Sequence, residues 1–325
     1  MRFIIYGVGA IGGTFAAALV KAGREVLGVA RGSMLEAIER DGLRFRTPAG
    51  DSQVSFPCHG SPSAIAFRPD DVIVLAMKSQ DSGAALLALR EAGVTTQAIV
   101  CAQNGVANER LALRFFPNVY AMTVMVPGEY TRPGEVICYG EPRHGLLDIG
   151  RYPKGTDGTV DAIAEAFDAA NFAVTTMDDV MRSKYGKLLE NIGNVLEAAL
   201  GPAMRSGEVA ALVRAEAEAA YRAAGITDWL VISRGEGRQA DLSRAGEVAG
   251  AVRDGGSSTQ SLRRGAGSIE TDYLNGEIVL LGRLHGVATP LNDGLVALGQ
   301  ELIANGAKPG SYTLISLKQR LGLAA

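Results

Sequence analysis

The residues best equipped for chemistry sit on one predicted helix. Over 179–200, Lys184, Lys187, Asn191 and Asn194 fall in a narrow stripe at ~100° per residue, while Leu188, Leu189, Ile192, Val195 and Leu196 take the other side. A lysine ammonium can give up a proton and offset charge developing on an oxygen. A solvated polar face is the plain alternative for lysines. Asparagine speaks against it, because it is a poor helix former and two lie mid-helix where Lys, Glu or Ala would serve better. The stripe is therefore read as facing a polar cleft. Further on, Gly255-Gly256-Ser257-Ser258-Thr259-Gln260 opens a helix. Ser257 with Gln260 fits a capping box, so structure alone would account for these serines. Glu270, expected in the first turn of the next helix, would likewise serve the helix dipole alone.

These side chains need a scaffold, and the start of the chain carries its signature. Arg2 to Tyr6 reads as a buried strand, followed by Gly7-Val8-Gly9-Ala10-Ile11-Gly12, a helix from Thr14 to Ala22 ended by Gly23, and a second strand from Glu25 to Ala30. A G-x-G-x-x-G between strand and helix is a dinucleotide-binding fingerprint. Gly7 makes the tight turn, Gly9 lets backbone approach a pyrophosphate, and Gly12 lets helix pack on strand. Free N–H groups at the helix start, around Ala10 and Ile11, hold the phosphates. A secretory signal peptide is the competing reading of this apolar stretch, but four glycines interrupt it. Where NAD-selective folds place an acid after the second strand, this chain has Arg31, with no acid until Glu36. A guanidinium suits a 2′-phosphate, so NADP(H) is expected, against the alternative of a solvated surface arginine.

The totals narrow the class. The 325 residues are 47% hydrophobic and 21% charged, with net charge −3. That composition suggests neither disorder nor a fibre, and the charge leaves no electrostatic footprint for nucleic acid or an anionic membrane. Cys58, Cys101 and Cys138 lack C-x-x-C spacing and read as reduced residues of a cytoplasmic protein; His59, His144 and His285 are scattered, so no metal site is expected. No later apolar run is long enough to cross a bilayer.

Strand and helix alternate up to Met177. The strands include the near-continuous apolar run Asp71 to Lys78 and the run Ala98 to Ala102, both of the kind buried in a parallel sheet. Lys78 and Asn104 fall where these two runs end, which is where open parallel sheets bind ligands. Each has a plain alternative: a solvated loop lysine, and the Asn of an Asn-Gly turn. From Asp178 onward the pattern is almost wholly helical, with helices expected over 179–200, 208–224, 242–253, 258–264, 270–285 and 291–304. The expected architecture is an α/β Rossmann-type doubly wound domain over 1–177, binding NADP, followed by an all-α domain over 178–325 carrying substrate and catalytic groups.

Taken in order, GVGAIGG at Gly7–Gly13, Arg31, Lys78 after DVIVLAMK, QNG at Gln103–Gly105, KLLEN at Lys187–Asn191, and Ser257-Ser258 with ETDYLNG at Glu270–Gly276 resemble the ketopantoate reductase family over essentially the whole chain. The resemblance implies NADPH-dependent reduction of a 2-oxo acid, with 2-dehydropantoate foremost. By it, Lys187 is the proton donor, Asn191 and Asn104 stand beside it, Lys78 serves cofactor and active site, Ser258 binds substrate, and Glu270 completes the site. Lys184 then has no role, and its replacement is expected to be mild. Two positions depart from the family pattern. Val195 holds the place of a frequent second asparagine, with Asn194 one earlier, and Leu262 holds that of a frequent acid four after the serine. Two alternatives stay open: an oxidoreductase acting on another small 2-oxo or 3-hydroxy acid, and a non-catalytic NADP-binding sensor, which would have no need of the lysine–asparagine stripe. The expected partner is a small-molecule 2-oxo acid, with a homodimer also kept open.

Overall fold

The computed structural model describes all residues except 202–203, 205–206, 233–236, 254 and 325. The chain forms two compact units that do not follow one cut. The first comprises Met1–Gln103, Asn108–Lys184 and Ser233–Arg253; the second comprises Asn104–Ala107, Tyr185–Ile232 and Asp254–Ala325.

The first unit is built on an eight-stranded sheet among the described residues. From one edge to the other its strands are Ala173–Thr176, Leu146–Arg151, Val119–Met125, Ala98–Cys101, Asp71–Leu75, Arg2–Tyr6, Glu25–Val29 and Cys58–His59. All neighbours run parallel except Val119–Met125 against Leu146–Arg151, so the sheet is mixed and Rossmann-like. The two central apolar runs are buried at every position, as strands covered on both faces must be. Register fixes which ends coincide. Arg2 pairs with Asp71 and Tyr6 with Leu75, and Leu75 in turn pairs with Cys101. The carboxyl ends of three strands are therefore level, and the loops of Gly7, Lys78 and Gln103 leave from one edge. At the opposite end Arg2 grips Asp71 through two bonds of 2.8 and 2.7 Å. Beneath the sheet, Phe15 and Phe172 pack edge-on against Phe167 at 5.0 and 5.7 Å between ring centres. A four-stranded sheet, Gly50–Val54, Leu43–Thr47, Glu135–Cys138 and Gly128–Arg132, flanks the helix Ala10–Lys21.

The second unit is helical, with Asn194–Leu200, Glu208–Ala223, Ser257–Arg263, Asn275–His285, Pro290–Ala304 and Leu314–Arg320. Three sequence expectations need correction here. The helix expected over 179–200 is broken, running Met181–Asn191 and resuming at Asn194–Leu200, with Ile192-Gly193 as a turn. Helix is not the state of 242–253: a short helix Gly237–Leu242 ends there, and Ser243–Ala245 pairs as a strand with Gly140–Pro142 in the first unit. The capping box at Ser257 does not form. Gly256 is the N-cap, and the carboxylate of Glu197 accepts its N–H and, at 3.4 Å, the hydroxyl of Thr259.

Candidate active site

The glycine turn of the first unit is tight where the motif requires it and open where a ligand must come. Gly7 has φ +98°, and a Cβ there would stand 2.6 Å from the Met77 nitrogen. A Cβ at Gly12 would stand 2.1 Å from the Gly7 carbonyl, so only glycine lets this helix close on the strand. Gly9 differs: nothing lies within 4 Å of its Cβ position. Its lack of a side chain leaves a cradle outside the protein's own packing. Gly9 is also the N-cap of Ala10–Lys21 and gives no side-chain cap, and the first turn holds no acid. The N–H groups around Ala10 and Ile11 thus meet an anion with no competing side chain. The residues present fit a dinucleotide.

Arg31 follows the second strand, 77% exposed, with Asp81 at 3.6 Å. Lys78, half-buried, caps the 3-10 turn Ser79–Asp81 that follows the strand Asp71–Leu75. Both lie in the first unit, beyond the carboxyl ends of parallel strands, where open parallel sheets bind ligands.

The other five candidates lie in the second unit. Asn104, half-buried, precedes Gly105, where a Cβ would meet the Tyr273 carbonyl at 2.9 Å. That close approach seats the Asn104-Gly105 loop against the turn Thr271–Tyr273. Glu270, 8% exposed, is the N-cap of this turn. It is not in the first turn of a helix as expected, since the long helix begins at Asn275. Lys187 is half-buried and Asn191, a turn further on, is buried. The amide oxygen of Asn191 is buried with no hydrogen-bond partner among the described residues. Next to it, the Ile192 carbonyl accepts from Asn275 Nδ2 at 3.1 Å, a bond that ties the helix break to the start of Asn275–His285. Ser258 is buried in the first turn of Ser257–Arg263, which packs on Asn194–Leu200. The elements carrying Asn104, Asn191, Ser258 and Glu270 are thus braced on one another inside one unit.

Lys184 is where the stripe reading fails. Its side chain is 2% exposed and lies 2.8 Å from the fully buried carboxylate of Glu109, in the first unit. Losing it would strand a buried charge, so the expectation of a mild replacement is corrected. No motif or spacing in the sequence marks Glu109, which the structure places in the short helix Asn108–Leu113.

Comparison with known proteins identifies the family. Residues 3–154 match the family model described as ketopantoate reductase PanE/ApbA, and residues 179–302 match its C-terminal model. A 2-dehydropantoate 2-reductase of Mycobacterium tuberculosis is 30% identical over 301 residues, covering 90% of this chain and 95% of the relative. One from Halobacterium salinarum is 28% identical over 300 residues, again 90% and 95%. The crystal structure of a PanE/ApbA family ketopantoate reductase from Ralstonia eutropha superposes with TM-score 0.76 at 29% identity, covering 94% of this chain and 99% of the other. D-mandelate dehydrogenase in its ternary structure with NADH and anilino(oxo)acetate shares the fold, with TM-score 0.77 at 21% identity over 94% and 99%. The chain belongs to the ketopantoate reductase family and is an oxidoreductase.

Proposed function

We propose that the protein reduces a small 2-oxo acid to the 2-hydroxy acid with NADPH, with 2-dehydropantoate as the leading substrate and pantoate the product, a step of pantothenate and CoA biosynthesis in the cytoplasm. The observation that carries this reading is that Asn191, one turn after Lys187 on the same helix, has a buried amide oxygen with no hydrogen-bond partner among the described residues. A buried amide left unpaired is costly, and a substrate hydroxyl, or a carbonyl facing the flipped amide, would pair it.

When bound, a nicotinamide would supply the hydride for the carbonyl carbon. The protein's part is binding and proton transfer. Gly7, Gly9, Ala10, Ile11 and Gly12 would take the pyrophosphate, Arg31 the 2′-phosphate, and Lys78 and Asn104 would serve the cofactor's reactive end. Ser258 and Asn191 give neutral donors to the substrate carboxylate. The Lys187 ammonium offsets charge on the developing alkoxide and donates the proton that completes the alcohol. Glu270 completes the polar wall.

The test is an NADPH-oxidation screen over 2-oxo acids, ketopantoate included, on wild type and Lys187→Ala. Removing the proton donor should lower turnover on the order of 10²-fold or more. A wild type that oxidises NADPH with no 2-oxo acid would end the proposal.

A further inference from the structure

A buried polar chain joins Ser79 and Gln103, the sequence neighbours of Lys78 and Asn104, and the proposed reaction leaves it without a role. Asn108 Nδ2 donates to Ser79 Oγ at 3.0 Å, Ser82 Oγ donates to Asn108 Oδ1 at 2.8 Å, and Gln103 Nε2 donates to Ser82 Oγ at 2.8 Å. Lys184 Nζ then donates to the Gln103 carbonyl at 2.7 Å and to that of Met122 at 3.5 Å, and meets Glu109 at 2.8 Å. Ser79, Ser82, Gln103, Asn108, Glu109 and Lys184 are all buried and all lie in the first unit.

Stability is a poor reason to keep such a pair. Desolvation of two charges rivals their attraction, and an apolar pair of similar volume serves as well or better. Glu109 also lacks the extra bonds that offset burial, since neither oxygen accepts a well-aligned hydrogen bond among the described residues. Its neighbours Cys101 and Tyr152 bring no charge of their own, and Arg110 is the next charge that reaches Tyr152. Burial, and next the Glu109 carboxylate, hold the Cys101 thiol protonated, and the same two causes raise the Tyr152 phenol.

What the pair does is fix geometry. Lys184 joins a strand end, the adjacent strand Val119–Met125 and the helix Asn108–Leu113 to its own helix. That helix, Met181–Asn191, carries Lys187 about one turn later. Gln103 is bonded to Asn104, and Ser79 to Lys78. We propose that Lys184 and Glu109 are a positioning pair, setting the helix that carries Lys187 and the loop that carries Asn104 in the register the reaction needs. The proposal rests on the reading of Lys187 as proton donor.

The decisive protein is the double variant Lys184→Met/Glu109→Leu, which removes both charges and keeps the volume. The singles strand a charge and report only folding. The double variant should stay folded, its midpoint lowered by no more than the loss of the carbonyl bonds that Lys184 gives to Gln103 and Met122, and bind NADPH within about threefold of wild type, yet lose roughly tenfold or more in kcat, in keeping with the cost of a small misplacement. Wild-type kcat in the double variant would overturn the proposal, and so would a loss confined to NADPH affinity. Should it not fold, Lys184→Arg/Glu109→Asp keeps the charges and shifts the contact by a methylene; a roughly tenfold loss of kcat supports the proposal and an unchanged kcat overturns it. If wild type turns over no 2-oxo acid, the proposed function has failed, and the pair is judged without turnover. The pH midpoint for acylation of Lys187 by acetic anhydride, followed by mass spectrometry, should shift in the double variant; an unshifted midpoint overturns the pair.

Discussion

The Arg31 guanidinium stands 3.6 Å from the Asp81 carboxylate, two side chains delivered by separate loops to the edge where the parallel strands end. At 77% and 45% exposure this pair is worth only about 0–1 kcal/mol, so Arg31 can leave it for a better anion. A good 2′-phosphate contact is worth about 1.5–3 kcal/mol. Arg31→Ala should therefore weaken NADPH roughly tenfold or more and leave NADH nearly unchanged, as read by cofactor titration. Asp81→Asn should tighten NADPH by up to about fivefold, because it removes the competitor. Equal weakening of both cofactors by Arg31→Ala would show that this guanidinium does not read the phosphate.

His144 gives the fold a pH dependence of its own. Its ring lies edge-on to Phe45 and Phe172 at 5.3 and 5.6 Å, and burial, with Lys21 as the next cause, lowers its pKa from 6.5 to about 4. Below the ordinary histidine value the unfolded chain takes up a proton that the folded chain refuses. The contribution to stability is therefore present above about pH 6.5 and lost as pH falls from there to about 4, by at most ~3 kcal/mol. Denaturant melts across that range should be steeper in pH for wild type than for His144→Phe. Parallel profiles would remove His144 from the account.

For Glu270 the corrected position strengthens the functional reading. As N-cap of a three-residue 3-10 turn it has little helix dipole to serve, yet it is 8% exposed. Glu270→Gln keeps the shape and removes the charge. It should lower kcat/KM by tenfold or more, with thermal midpoints nearly unchanged. A fully active variant would return Glu270 to a structural part.

Much of this was readable from sequence because the signal was local. Asp71–Leu75 and Ala98–Cys101 are apolar throughout because both their faces are covered. Gly7 and Gly12 are fixed by backbone within a few ångströms. What escaped depends on contacts distant in sequence. The apolar period runs on through Ile192-Gly193, so the break there shows only in the bond from Asn275. Ser243–Ala245 becomes a strand because Gly140–Pro142 offers it an edge, a partner no local pattern announces. Lys184 shares the stripe of Lys187 in projection, and its burial shows in contacts from elsewhere in the chain, with Glu109 and with the carbonyls of Gln103 and Met122.

The substrate side chain is the last question, and Leu262 bears on it. It lies in Ser257–Arg263, the helix that presents Ser258, and is 8% exposed. By the resemblance, relatives often carry an acid here, four residues after the serine, able to accept a bond from the terminal hydroxyl of ketopantoate. Leucine cannot accept one. The acid that does stand close, Glu197, is engaged by the Gly256 N–H and the Thr259 hydroxyl and so serves the start of the helix. A site built to bond a hydroxyl rejects analogues strongly, whereas an apolar wall discriminates by only about 1–3 kcal/mol per methylene. We therefore expect ketopantoate and unhydroxylated branched 2-oxo acids to differ by less than roughly 100-fold in kcat/KM. Leu262→Asp should widen that gap by slowing the apolar substrates more than ketopantoate. Steady-state kinetics of both substrates on both proteins checks this. A wild type about a thousandfold selective for ketopantoate would sink the idea, since some other group must then be reading the hydroxyl.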